Sequence, residues 1–237
     1  MAKKEIPYES KPKENKLDIL FGVLFFFALV GIGLAIVLNV RPLYYLAIKL
    51  FDIEEKSGYS VNEIKLNYNA LIDYCSPFFH GPLKFPTLPA SASGLSHFDE
   101  VKVIFNIVYA VGFGSLLVVV PAFIYKIYFR DRSFFKTCAI TAIIIPIILL
   151  LACIINFDGL FVLFHKVVFN NDDWMFSSIT DPVIKILPES YFMQCAIVIA
   201  AVVIIGAIAS FIVYLKMDSK RKTDNDSLIP RKKNYIY

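Results

Sequence analysis

The residues of this chain best suited to acid–base chemistry are two histidines, His97 and His165, each in a polar segment beside a long apolar run. Ser96 and Asp99 form an S-x-x-D capping box, which predicts that a helix starts here and that His97 occupies its first turn. The unpaired N–H groups and positive dipole end of a helix disfavour an imidazolium ion. The sequence therefore predicts a neutral His97 that can act as a base near neutral pH.

Two acids stand close to His97. Glu100 lies at i+3, where it can share a helical face with the histidine and orient its ring. An acid near a helix N-terminus is also favourable by itself, which is the commoner reason for finding one there. Catalysis by His97 and a structural histidine at the lipid headgroups are both open at this point. His165 is either an interfacial histidine or a second functional imidazole that faces His97 across a cleft.

Other common chemistries lack their motifs. No H-E-x-x-H or H-x-x-E-H spacing is present, so the histidines predict no metal site, and His80 is expected in a loop beside Gly81. The sequence contains no P-loop, no dinucleotide fingerprint and no G-x-S-x-G, and we expect neither a cofactor nor a nucleic-acid partner. The four cysteines form no C-x-x-C and are expected to be buried thiols.

The elements that must position these residues are membrane helices. The chain has 237 residues, of which 57% are hydrophobic, more than the ~45–50% typical of soluble domains. Apolar runs occupy residues 19–40, 103–124, 137–155 and 192–215, and each is long enough to cross a bilayer core of ~30 Å. Pro146 is expected to kink the third run.

These runs divide the chain into a tail (1–18), a four-helix transmembrane domain (19–215) and a second, basic tail (216–237). The domain carries two polar insertions, residues 41–100 and 156–191. In the first, 43–51 is expected to lie along the membrane interface, and Ser60 and Glu63 form a capping box for a helix over 61–75. In the second, Asp181 is expected to cap a helix whose first position is Pro182.

The distribution of basic residues predicts the orientation. Of the 24 lysines and arginines, 16 lie in the two tails and in the connection 126–136, whereas the insertions, counted with Lys102 at their edge, carry 8 together with 12 acidic residues. Since basic residues accumulate on the cytoplasmic side, both termini are expected in the cytoplasm and both insertions outside. The predicted fold is an all-α integral membrane protein with four transmembrane helices, in which two extracytoplasmic, partly helical insertions form a cap over an outer-leaflet cleft.

Three ordered motifs together resemble the lipoprotein intramolecular transacylases (Lit) of Gram-positive bacteria. They are the segment Asn67–Tyr74; Ser96-His97-Phe98 with Val101-Lys102; and Phe164-His165-Lys166 with Phe169-Asn170-Asn171 and Trp174. The resemblance covers roughly residues 18–215. The family pattern places an aspartate three positions after the histidine, where this chain has Glu100, and Asp99 stands just before it. Either acid is therefore a candidate to support His97.

The resemblance implies a reaction in the bacterial cell membrane, with the active site facing outside. The substrate is a diacylglyceryl lipoprotein whose N-terminal cysteine has a free α-amine. Its sn-2 acyl chain moves from the glycerol ester to that amine and leaves a lyso-form lipoprotein. The resemblance implies no cofactor, lipoprotein and membrane lipid as partners, and we expect a monomer.

The same resemblance suggests residue roles. His97 is expected to accept the amine proton and His165 to stabilise the oxyanion or protonate the leaving oxygen. The candidate substrate-binding residues are Asn67, Tyr68, Tyr74, Asn171 and Trp174. Asn67 and Tyr74 are seven apart and are expected to face the His97 cleft, whereas Tyr68 is expected to pack on a neighbouring element. Asn171 and Trp174 are expected at the rim, on one face if their segment is helical.

Two other functions compete with this one. A membrane scaffold without chemistry would tolerate changes of the outer polar residues. A four-helix thiol oxidoreductase would need paired outer cysteines, and only Cys153 and Cys195 are placed to meet near the outer face.

Overall fold

A computed structural model describes residues 16–228 of the chain, with side chains through residue 219. Most of the two predicted tails therefore lies outside the described residues. Within that range all the regular secondary structure is helical. Its helices are α1 (Lys16–Asn39), α2 (Arg41–Leu50), α3 (Ile53–Ser57), α4 (Val61–Tyr74), α5 (Ala92–Tyr128), α6 (Arg132–Val168), α7 (Val183–Ile186) and α8 (Glu189–Leu228).

Four of these helices, α1, α5, α6 and α8, are long and apolar enough to cross a membrane. This confirms the predicted all-α membrane fold. Helix α1 packs against α5, α6 and α8, and α6 packs along α8. At the crossing of α1 and α5, a Cβ on Gly31 would lie 2.7 Å from the Cα of Gly112, so the absence of side chains permits this close approach.

Helices α5 and α6 have 37 residues each and so are about 55 Å long at a rise of ~1.5 Å per residue. This length exceeds a hydrocarbon core of ~30 Å, so each helix projects beyond its apolar run. The residues of α5 before 103 and those of α6 after 155 belong to such projections, and these projections carry the two histidines.

Helix α5 begins at Ala92, earlier than the sequence predicted. Ser91 caps it by accepting a hydrogen bond from the Gly94 N–H at 3.0 Å, whereas Ser96 and Asp99 lie inside the helix. The predicted capping box is therefore wrong. Asp181 accepts a hydrogen bond from the Ser91 N–H at 2.7 Å and leaves no room for a Cβ at position 94. The start of α5 is thus fixed to the connection between α6 and α8.

Helix α6 continues through the first part of the predicted second insertion. Its backbone leaves helical geometry at Asn156 (φ −161°, ψ 85°), and Pro146, where a kink was predicted, lies inside the helix. Asn156 Oδ1 accepts from the Gly159 N–H at 2.9 Å, as an N-cap would, so a second helical segment starts there and carries His165. Residues 169–182 form turns without a helix.

The capping box of α4 is confirmed, because Ser60 Oγ accepts from the Glu63 N–H at 3.3 Å. The expected cap of α7 is not, since the helix begins after Pro182, at Val183. The Asp181 carboxylate instead accepts hydrogen bonds from Ser91 and from the Thr180 hydroxyl.

Two apolar clusters support the molecule. The cap cluster joins α2, α4, α7 and the start of α8, and at its centre Tyr44 stacks on Tyr68 with ring centroids 3.6 Å apart. The bundle cluster lies towards the other end and includes the fully buried Phe134 and Phe135. The cap cluster supports the half of α5 that carries His97.

Candidate active site

The structure brings the two histidines together. His97 on α5 and His165 on α6 have ring centroids 5.8 Å apart, although 68 positions separate them in the chain. Only 5% of His97 and 9% of His165 is exposed to solvent. Two imidazoles that are buried side by side can exchange protons with one bound substrate.

Aromatic rings surround His97. The rings of Phe169 and Phe176 lie 4.7 and 5.5 Å from it, and His97 Nδ1 is buried without a hydrogen-bond partner among the described residues. Burial lowers the pKa of His97 to about 4, with a further decrease from nearby His165 and an opposing effect of Asp173. The imidazole is neutral as predicted, but the physical cause is desolvation in the second turn of α5 rather than a helix N-terminus.

His165 has a defined tautomer. Its Nδ1 lies 2.7 Å from the carbonyl oxygen of Phe161, one turn earlier in α6. Because a carbonyl oxygen can only accept, Nδ1 carries the proton and Nε2 keeps its lone pair. Burial lowers the pKa of His165, and the hydrogen bond to Phe161 partly offsets that decrease. His165 therefore presents a neutral ring with one fixed acceptor nitrogen.

Three further predicted residues join the histidines. Asn171 Nδ2 donates to Glu100 Oε1 at 2.8 Å, and Trp174 Nε1 donates to the backbone oxygen of Asn171 at 3.1 Å. The Trp174 ring lies 4.9 Å from the ring of His165. Contacts link Glu100, Asn171, Trp174, His165 and His97 in that order, and we call these five residues the histidine cleft. The segment that contains Asn171 and Trp174 is not helical, so a shared helical face is not what brings them together.

Asp99 lies on the other side of α5, two residues after His97, and accepts a short hydrogen bond from the Tyr74 hydroxyl. Lys102 lies over the Tyr74 ring at 4.3 Å and donates to the carbonyl oxygen of Phe79. Among the described residues neither Asp99 nor Glu100 is bonded to His97 Nδ1. The structure therefore gives each of the two candidate acids a partner other than His97.

Asn67 is fully buried and holds a loop. Its Nδ2 donates to the Glu63 carbonyl oxygen and to Thr87 Oγ1, while its Oδ1 accepts from the N–H groups of Thr87 and Leu88. Asn67 and Tyr74 were expected to face the His97 cleft, and the hydrogen bonds described for them go to other residues. Tyr68 packs in the cap cluster, with its hydroxyl 2.7 Å from that of Tyr191.

Sequence reasoning did not identify the aromatic lining. Phe161 and Phe169 stand four positions before and after His165, a helical spacing that could have indicated one shared face. Phe176 lies in a turn, where no periodic signal exists. Asp173, the acid with an electrostatic effect on His97, was also missed.

No group of three metal-binding side chains occurs among the described residues. All four cysteines are free thiols, so the pairing that a thiol oxidoreductase would need is not present between residues 16 and 219. The scaffold alternative predicts that the outer polar residues tolerate changes, which substitutions in the histidine cleft can test.

Known protein families and solved structures include relatives of this chain. The family model described as "Lipoprotein intramolecular transacylase Lit" matches residues 19–192. The solved structure of the membrane integral lipoprotein intramolecular transacylase Lit from Bacillus cereus is 34% identical, with a TM-score of 0.81 over 87% of this chain and 98% of that one.

Two solved variants of the Bacillus cereus protein are also similar. A histidine-to-alanine variant is 34% identical, with a TM-score of 0.77 over 87% of this chain and 94% of that one. A histidine-to-arginine variant is 33% identical, with a TM-score of 0.76 over 88% and 95%. A comparison with curated proteins found no match.

Proposed function

The chain belongs to the family of lipoprotein intramolecular transacylases, and on that premise we propose that the histidine cleft is the site of its acyl transfer. The protein is a multi-pass membrane acyltransferase that acts on lipoproteins. The observation that carries the proposal is the pairing of two buried, neutral imidazoles at 5.8 Å on the projecting parts of α5 and α6.

The transfer takes place within one substrate molecule. The α-amine of the N-terminal cysteine attacks the carbonyl carbon of its own sn-2 ester, and this closes an eight-membered ring. The C–O bond to glycerol then breaks, and an amide and a free sn-2 hydroxyl remain. Holding the reacting atoms in this ring can supply up to ~7–11 kcal/mol of the barrier in favourable intramolecular cases, so the enzyme mainly needs to orient groups and move protons.

The structure supports a division of labour opposite to the predicted one. An α-amine has a pKa of about 7.7–8.0, so one proton leaves before attack and a second must be removed as the C–N bond forms. His165 is the better acceptor, because the bond of its Nδ1 to Phe161 leaves Nε2 with a lone pair and opposes the decrease that burial causes in the pKa of His165. We therefore assign the removal of this second proton to His165.

His97 then acts on the oxygen side. Its neutral ring carries one N–H group, and within the described part of the chain no hydrogen bond to Nδ1 fixes the tautomer. That N–H can donate to the developing oxyanion or to the glycerol oxygen as it leaves. The imidazolium of His165 then gives its proton to the leaving glycerol oxygen, which becomes the free sn-2 hydroxyl, and both histidines end neutral as they began.

The finer topology belongs to the same proposal. Both termini lie in the cytoplasm and the cleft opens to the outer leaflet, which the basic residues of the tails and of the connection 126–136 support. Single cysteines introduced at positions 90 and 225, in a background without the natural cysteines, should be labelled from outside and from inside respectively. Labelling from the opposite sides would reject this orientation. We also propose that one chain suffices, since all the cleft residues come from it.

The direct test is mass spectrometry of the N-terminal peptide of a reporter lipoprotein. In a host without this activity, expression of the protein should convert a diacylglyceryl peptide into one with an N-acyl group and a monoacyl glyceryl group of the same total mass. Fragment ions locate the acyl chain. A reporter that keeps both ester-linked chains in the presence of correctly inserted protein would refute the proposed function.

A further inference from the structure

Glu100 occupies an unusual position in the histidine cleft. Its Oε1 accepts the hydrogen bond from Asn171, but its Oε2 is buried without a partner among the described residues. A carboxylate oxygen removed from water without a hydrogen bond or a cation is costly, and such atoms in folded proteins generally have a function. The remaining oxygen therefore indicates a group that arrives with the substrate.

The placement of Glu100 restricts what that group is. Glu100 lies three residues after His97, on the same side of α5, and Asn171 holds it from across the cleft. Asp173 and Trp174 stand two and three positions after Asn171, and Asp173 exerts an electrostatic effect on His97. One wall of the cleft is thus acidic and aromatic, which suits a cation, whereas the ester oxygens and the acyl chain have no positive charge.

We infer that Glu100, held by Asn171, binds the α-ammonium group of the substrate's N-terminal cysteine and so distinguishes the free-amine substrate from the acylated product. The inference rests on the proposed function. It replaces the predicted role of Glu100, that of orienting the His97 ring, since His97 Nδ1 has no bond to it.

The chemistry of the reaction makes this recognition useful. Near pH 7 most of the substrate carries an ammonium group, and acyl transfer converts it into a neutral amide. The ion pair with Glu100 can therefore form with the substrate and not with the product. After loss of one proton, the neutral amine still has two N–H groups, so it can remain hydrogen-bonded to Glu100 while its lone pair attacks.

The test is a binding measurement with probes that cannot react. The purified full-length protein in nanodiscs is titrated with a lipopeptide whose two chains are ether-linked and whose α-amine is free, and with its N-acetyl counterpart. Loss of a charged hydrogen-bond partner typically weakens binding by ~10–100-fold, so we expect the free-amine probe to bind ~10–100-fold more tightly. This preference should decrease above pH ~8, where the ammonium group loses its charge.

Variants assign the preference to Glu100. Glu100→Gln should abolish it, Glu100→Asp should retain part of it, and Asn171→Ala should weaken it. Asp172→Asn, which removes a charge from an exposed neighbour in the same turn, should leave it unchanged. With a reactive ester substrate, Glu100→Gln should raise KM with little change in kcat, whereas loss of a residue that orients His97 would lower kcat.

Equal binding of the two probes by the wild-type protein would overturn the inference without the need for any variant. A full preference in Glu100→Gln, or a loss in kcat alone, would also overturn it. Failure of the wild-type protein to transfer the acyl chain of the ester substrate is a different result, since it would reject the proposed function itself.

Discussion

In the first three turns of α5, the polar groups on its two faces differ in their hydrogen bonding. On the face towards the connection 169–188, His97 Nδ1 and Glu100 Oε2 are buried without partners among the described residues. On the face towards the connection 40–91, Asp99 is bonded to Tyr74, and the nearby Asn67 uses both its nitrogen and its oxygen within the protein. All of these residues are polar and close in space, so residue type alone does not separate them.

This difference in hydrogen bonding indicates which side chains are available to a bound substrate. A side chain whose hydrogen bonds are satisfied internally stabilises the fold and has little left to offer a ligand. A buried polar atom without an internal partner costs stability and can be kept only for another reason. The first face is therefore expected to determine turnover, and the second to determine the stability of the cap.

The largest expected effect is that of His165→Ala. Loss of a general base typically lowers the rate by ~10²–10⁴-fold, and this variant should lose that much kcat while remaining inserted in the membrane. Single-turnover assays of acyl transfer measure it. Tyr74→Phe is the matched control from the opposite face and should stay within a few fold of wild type. Near-normal turnover by His165→Ala would refute the two-histidine mechanism.

The next effect is that of His97→Ala, with an expected loss of ~10²–10³-fold, as for removal of an oxyanion donor. The pH dependence separates the two roles. Below neutral pH the wild-type rate should fall as His165 becomes protonated, and because burial lowers the pKa of His165 this fall should occur below pH 6.5. The residual rate of His97→Ala should keep this acid limb, whereas that of His165→Ala should lose it. The opposite pattern would restore the original assignment of His97 as base.

The sequence predicted most of the fold and the residues of the cleft, but not the contacts among them or the aromatic rings that line it. Apolar runs and the basic bias are properties of the chain itself, and so the four membrane helices could be predicted. His97, His165, Glu100, Asn171 and Trp174 were all candidates, and the structure adds the contacts among them. These contacts depend on α6 continuing past Asn156 to Val168, and no periodic pattern showed that the helix resumes there.

The errors have a common physical origin. Tertiary contacts can override a local sequence motif. At the start of α5, Ser91 caps the helix and Asp181 holds Ser91, so that Ser96 lies within the helix rather than at its end. The seven-residue spacing correctly placed Asn67 and Tyr74 on one side of α4, but a spacing cannot show which neighbour that side meets. That neighbour is the loop at Thr87 and the Asp99 side of α5.

Substitution of a residue packed near the face of α5 towards the connection 40–91 should lower the thermal stability of the protein. Asn67→Ala removes four hydrogen bonds that hold Thr87, Leu88 and Glu63, and leaves buried donors and acceptors without partners. Unsatisfied buried groups cost ~1–3 kcal/mol, so thermal unfolding should occur several degrees lower. The kcat of the protein that remains folded should be close to wild type. A large loss of kcat at unchanged stability would instead make Asn67 a substrate-binding residue, as the sequence first suggested.

The smallest expected effect is a dependence of stability on pH that originates in the first face. Burial lowers the pKa of His97 from 6.5 to about 4, so in acid the unfolded chain binds a proton at this position before the folded protein does. The stability that the neutral ring contributes is complete above pH ~6.5 and decreases as the pH falls towards 4. His97→Gln cannot bind this proton and should therefore lose less stability than wild type between pH 7 and pH 5. Thermal unfolding of both proteins at the two pH values measures the difference, and His80→Gln at the exposed loop histidine is the control. An equal loss in wild type and His97→Gln would show that His97 is protonated in the folded state, and the contrast between the two faces of α5 would then not extend to its charge.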